Sequence, residues 1–204
     1  IVKGDLSLGG GLNQIDLLGA PLLKADRLLA VGSTRIYNGA SDGGGVELGE
    51  IDFGDGDDEI DNLGSFKVTR KIAMGAGSDS IFNALGDSHT LTARSIDMGS
   101  GDDLIENDGT MFIETMIRNP GGSDEVLNGA GVLTVQSIVD VLRTNAMTDL
   151  RIEGGKVVLT GMSSYRGSTE VNGGTLEVSG ALPDSTPVSV AENATYQVRS
   201  TDEI

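Results

Sequence analysis

The sequence predicts an all-β chain, a right-handed parallel β-helix (solenoid) with coils of about 22 residues. Three observations predict it. Six glycines, Gly9, Gly32, Gly54, Gly75, Gly99 and Gly121, are spaced by 23, 22, 21, 24 and 22 residues. Apolar residues two apart run into these glycines, which describes a strand with one buried face ending at a turn. The composition agrees: 31 glycines against four phenylalanines, three tyrosines and no tryptophan suit a repetitive, turn-rich chain better than a globule packed around bulky side chains.

The elements follow in order. Three positions before the glycines stand Leu6, Leu29, Ile51, Ile72 and Ile96, and one position before stand Leu8, Val31, Phe53, Met74 and Met98. Six positions after come Ile15, Ile60, Ile81 and Ile105, which open a second strand. The sixth copy is ragged, with Arg118 and Pro120 at the apolar positions and Val126 one place early. PLLKADRLLAVG from Pro21 has proline where a helix could begin, but it aligns with FKVTRKIAMG and is read as strand. VQSIVDVLRTN from Val135 is left as strand or short helix. Residues 1–140 are taken as coils with glycine–aspartate turns, and 141–204 as C-terminal coils.

Coils stacked at about 4.8 Å place equivalent residues in columns. Asn62, Asn83, Asn107 and Asn128 form one, suited to hydrogen bonding from coil to coil. Arg27, Arg70 and Arg94 are read as solvated side chains on the outer face. Asp58, Asp79 and Asp103 form a third column, with Asn13 in the first copy and Asp124 one place early in the sixth; Thr34 breaks it. Aspartates stacked this way repel by about 1 kcal/mol in water and about 3 to 4 at an effective dielectric near 20. Calcium could offset that, with carboxylates and glycine carbonyls as ligands. Backbone N–H donors of the same turns could also do so. The broken column and the single turn per coil favour the backbone, so no metal ligand is assigned.

The remaining composition is exclusive. A net charge of −17 makes nucleic acid and anionic membrane poor partners. The absence of cysteine removes disulfides, thiol nucleophiles and thiolate metal sites. No apolar run approaches the ~20 residues of a membrane helix, so insertion of this section is not expected. The chain opens IVKGDL, without methionine, and is read as a section of something longer.

The turns GDGDDEIDN, GAGSDSIFN and GSGDDLIEN resemble the repeats-in-toxin nonapeptide GGxGxDxUx, whose stacked turns hold calcium. They depart from it at the first glycine, which is Phe53, Met74 or Met98 here. A second resemblance is sharper. LTGMSSYRGSTEVNGGTLEVSGALPDS resembles the passenger-associated repeat of Gram-negative autotransporters, with Leu159, Thr160, Gly161, Tyr165, Gly167, Thr169, Val171, Gly174, Leu176 and Val178 in register. That resemblance implies a secreted β-helix displayed outside the outer membrane, upstream of its own C-terminal β-barrel translocator. It also implies a segment, from Leu159 to Val178 with its flanks, that promotes passenger folding and secretion. An adhesive stalk would meet a host or neighbouring cell surface, or itself.

Catalytic chemistry has little to stand on. GDSH, with Ser88 and His89, superficially resembles the GDSL motif of some esterases, but the only histidine directly follows the serine, which matches no familiar triad layout. KGD at Lys3 and the sequon at Asn193 are chance-level tripeptides. A non-enzymatic autotransporter passenger section is the first reading. A calcium-binding β-roll module is the alternative, and a β-helical carbohydrate-active enzyme comes third. No catalytic, cofactor-binding or metal residue is assigned.

Overall fold

The computed structural model describes residues 3–40, 44–86, 88–140, 147–184 and 186–199. Among them, twenty strands pair in parallel into an eleven-stranded and a nine-stranded sheet, and no residue is helical. The nine-stranded sheet takes one strand from each coil, giving a β-solenoid of about nine turns with roughly 21 residues per turn. In the other sheet the pairing skips one residue where Ala25–Leu48 pairing passes to Arg27–Glu50 and one between Ala93 and Ser95, and it skips two between Ile113 and Met116. Most coils therefore carry three strand segments.

Alternation in the sequence explains which residues face inward, because successive side chains of a strand point to opposite sides. The column before the turn runs Leu6, Leu28, Ile51, Ile72, Ile96, Ile117 and Ile138. The column after it runs Ile15, Ile36, Ile60, Ile81, Ile105, Val126 and Leu150. A third runs Leu23, Val46, Phe66, Leu91, Met111, Leu133, Val157 and Leu176. From Leu28, Ile36 and Val46 onward these side chains are essentially sealed from solvent. In the last described coil Val188, Val190, Tyr196 and Val198 are exposed.

Two alignments need correction. In the second coil Leu28 and Ala30 are inside, whereas Leu29 pairs with Asp52 on the outer side and Val31 is 61% exposed. Gly54 lies against Ala30 and Val31, so Val31 holds the position given to Gly32, and the following turn is one residue shorter. In the sixth coil Ser100 bridges Gly121, so Gly121 also sits one place late. Ile117 and Asn119 fill the inward positions, and Val126 and Asp124 fall in step with Ile105 and Asp103. The raggedness came from anchoring on the wrong residue.

Pro21 lies just before the strand Leu22–Ala30, as the alignment with FKVTRKIAMG implies. In VQSIVDVLRTN, the residues through Asp140 belong to the strand Val132–Asp140, which replaces the short-helix alternative there. Residues 141–146 lie outside the described residues, as does the division placed at 140/141.

Candidate functional site

The asparagine column is a continuous hydrogen-bonded ladder. Nδ2 of Asn38 donates to Oδ1 of Asn62 at 2.7 Å, Asn62 to Asn83 at 2.7 Å, Asn83 to Asn107 at 2.8 Å and Asn107 to Asn128 at 2.8 Å. All five are fully buried. The amides also reach corner carbonyls: Asn62 donates to Gly64 and Thr90, and Asn128 to Gly131 and Gly154. Asparagine suits the position because its two-sided amide gives to one coil and accepts from the other. Asn38 escaped the sequence reading because Gly32 lies one place past the aligned position and the turn is one residue shorter, which together place it six, not eight, residues after Gly32.

The aspartate column lies four residues earlier, and Asp58, Asp79 and Asp103 immediately precede the strands Glu59–Asn62, Ser80–Asn83 and Leu104–Asn107. The backbone N–H of Thr34 donates to Oδ1 of Asp58 at 2.6 Å, that of Asp58 to Asp79 at 2.8 Å, that of Asp79 to Asp103 at 2.8 Å and that of Asp103 to Asp124 at 3.1 Å. Thr34 therefore heads the column rather than breaking it. The expected backbone donors are present, but each comes from the preceding coil instead of the aspartate's own turn. All four side chains are at most 4% exposed. Their Oδ2 atoms are buried with no hydrogen-bond partner among the described residues. Burial pushes Asp58 and Asp103 up to about 6, Asp79 to about 7 and Asp124 to about 8; the backbone hydrogen bonds oppose the shift without cancelling it.

The more exposed acids of these turns act differently. Asp57 accepts the Ser78 N–H and Asp102 the Ser123 N–H, while Asp149 accepts from Ser168. Among the described residues no three acidic or histidine side chains converge so as to hold a metal ion. Asp79 and Asp103, with Met74, Met98, Ile81 and Ile105, line an interior space that admits no water. A cation that keeps oxygen ligands around it does not fit in that space, whereas Asp103 and Asp124, with Asp102, Glu125 and Asp149, also border an open space of about 330 Å³.

The other sequence candidates are dispersed. Ser88 and His89 lie beside a tight turn in which the His89 N–H donates to the Gly86 carbonyl at 3.0 Å. Ser88 is exposed, and Nδ1 of His89 is buried without a partner among the described residues. Asp87 lies outside them. Arg70 and Arg94 are stacked neighbours, their backbones joined at 2.9 Å, but Arg27 belongs to the adjacent column and pairs with Glu50. Arg27 and Arg70 hold Asp52 at 3.3 Å and Glu50 at 3.0 Å across the outer face. One further cavity was not foreseen. It is an open cleft of about 520 Å³ with Lys3, Lys24, Glu47 and Lys67 on its wall, and Lys24 is tied to Glu47 at 2.6 Å.

The segment from Leu159 to Val178 continues the same two sheets. Leu150 pairs with Thr169, and Leu159 with Val178. Tyr165 is completely buried, its hydroxyl 2.5 Å from Oγ1 of Thr169 and its carbonyl accepting from Thr186. Beside it, buried Asp140 accepts the Thr148 hydroxyl at 2.7 Å and the Arg166 N–H at 2.7 Å. Asp140 pairs with Asn119 and so extends the inward column before the turn, but no sequence pattern flagged it, since that column is apolar only as far as Met98.

Comparison with curated proteins and with solved structures gives no match. Residues 153–178 match the family model of the passenger-associated-transport-repeat. Those residues supply buried Leu159, Tyr165, Thr169, Val171, Leu176 and Val178. The matched repeat is thus an integral part of the stack, and a passenger-associated-transport-repeat built into a parallel β-solenoid supports an autotransporter passenger.

Proposed function

We propose that this chain is a section of a surface-displayed stalk, in which residues 141–204, centred on the stretch from Leu159 to Val178, close and nucleate the stack during folding and secretion. The observation that carries the reading is the burial of Tyr165 between coils, with Asp140, Thr148 and Arg166 tying its neighbourhood to the preceding turns. A coil of a solenoid buries its apolar face only against its neighbours, so the stack gains stability where one end is well packed. In this reading the partners are the chain's own C-terminal β-barrel translocator and, at the far end of the stalk, a host or neighbouring cell surface or a second stalk. The work is mechanical, and the ladders supply stiffness.

Refolding tests the reading. The chain lacking residues from Leu150 onward should refold more slowly and aggregate more, because it exposes strand edges. A chain shortened by an equal length from the other end loses as many coils but keeps the proposed nucleus, and it should refold faster than the first. Equal rates for the two, or unimpaired refolding of the first, overturn the nucleating role.

A further inference from the structure

We propose that the cation held by the aspartate column is the proton: Asp58, Asp79, Asp103 and Asp124 stand in the folded stack as neutral carboxylic acids, and the solenoid loosens when they ionise. The geometry carries this. Each carboxyl receives one backbone hydrogen bond on Oδ1, Asp58 also meets the Thr34 side chain, and among the described residues nothing reaches the buried Oδ2. A buried carboxylate kept ionised without a counter-charge is typically held by two to three such donors. The four repeat at the coil spacing of about 4.8 Å, so each ionised member would face another across one coil. A buried, unpaired charge costs far more than a buried neutral acid.

Among the described residues no counter-charge answers them. The groups acting on the column are themselves acidic: Asp57 on Asp58 and Asp79, Asp102 on Asp103, and Asp102 and Asp140 on Asp124. Arg166, at the C-terminal end of the column, is engaged by Asp140 at 3.7 Å. The space lined by Asp79 and Asp103 admits no water, so a hydrated metal ion is too large where a proton is not. The consequence has a definite sign. An ordinary aspartic acid ionises near pH ~3.9 in the unfolded chain, whereas burial raises these four to between about 6 and about 8. The folded stack then binds more protons than the unfolded chain. The column's stabilisation is complete below pH ~4 and is lost as pH rises through the folded values. A stalk displayed outside a cell, as proposed above, would be stiffest in acid surroundings.

Thermal melts of the full chain in EDTA between pH ~5 and ~9 test this, alongside Asp79→Asn, which keeps the shape of the neutral acid but cannot ionise. The wild-type melting temperature should fall across that range. The variant should match wild type at the acid end, melt above it at the alkaline end, and show a shallower slope. Repulsion across the whole −17 chain acts on both proteins alike. A wild-type melting temperature that rises with pH would overturn the proposal, as would an Asp79→Asn variant destabilised equally at every pH. So would a calcium-dependent rise that Asp79→Asn abolishes. Should the variant fail to fold, carboxyl-carbon NMR of the unaltered chain decides: Asp79 should remain protonated near pH ~6 after exposed acids have ionised, and ionisation of Asp79 with them would refute it.

Discussion

Asn83→Ala cuts the amide ladder at its centre, and its effect can be worked out bond by bond. The substitution removes the bond from Asn62 at 2.7 Å and the bond to Asn107 at 2.8 Å. Asn62 is not stranded, because its Nδ2 still reaches the carbonyls of Gly64 and Thr90, each at 3.1 Å. Asn107 fares worse. Its Oδ1 loses its donor while remaining fully buried. A lost hydrogen bond is worth about 1 kcal/mol and a stranded buried acceptor about 1–3 more, so the total is about 2–4 kcal/mol. In a chain of this size that corresponds to a drop in melting temperature of roughly 5–15 °C. Circular dichroism melts read it directly, with Asn193→Ala as the control at an exposed turn, where a change within about 0.5 kcal/mol is expected. An Asn83→Ala chain that melts with the control would refute the claim that the ladder stabilises the stack.

Ile72→Asp should be more severe. Ile72 is fully buried between Ile51 and Ile96, and an unpaired charge in that column should cost about 4 kcal/mol or more, read as loss of a cooperative melt. Gly75→Ala tests the turn instead: Gly75 sits at φ +98°, and a Cβ there would collide with the Gly54 carbonyl, so backbone strain alone should cost about 1–3 kcal/mol. Gly9→Ala meets nothing within 4 Å and should leave the melt unchanged.

The repeat was legible because two of the three strand segments keep a nearly fixed distance from the turn glycine. Ile60, Ile81 and Ile105 could be read straight off the spacing. The third segment was not legible, because the corner before it varies in length. Phe66 follows Asn62 by four residues and Met111 follows Asn107 by four, but Val46 follows Asn38 by eight and Leu91 follows Asn83 by eight. Stretches that look unrelated are thus strands displaced by corner insertions, and only pairing shows that Val46, Phe66 and Leu91 share a column. Anchoring on glycine misled wherever the turn changed. Val31 and Pro120 occupy the glycine position, so Leu28 and Ile117 were missed and Arg27 was joined to the wrong neighbours. The aspartate column was visible as a row of like charges. Its burial was not, because GDGDD and GSGDD read as exposed acidic turns, and in each only the second of the adjacent aspartates turns inward.

The central claim is that sequence-distant coils stack in parallel in one register, and the cysteine-free chain allows a direct test. Ser80 and Leu104 are partners on adjacent coils, each partly exposed, and Glu125 follows one coil further on. Parallel partners stand about 4.8 Å apart, within the ~4.4–6.8 Å Cα separation a disulfide spans. The pair Ser80→Cys and Leu104→Cys should therefore crosslink within one molecule under mild oxidation. Ser80→Cys with Glu125→Cys, two coils apart at roughly 10 Å, should not. Crosslinking of the second pair in preference to the first, or of neither in a folded chain, would contradict the stack and with it the columns that the stack creates.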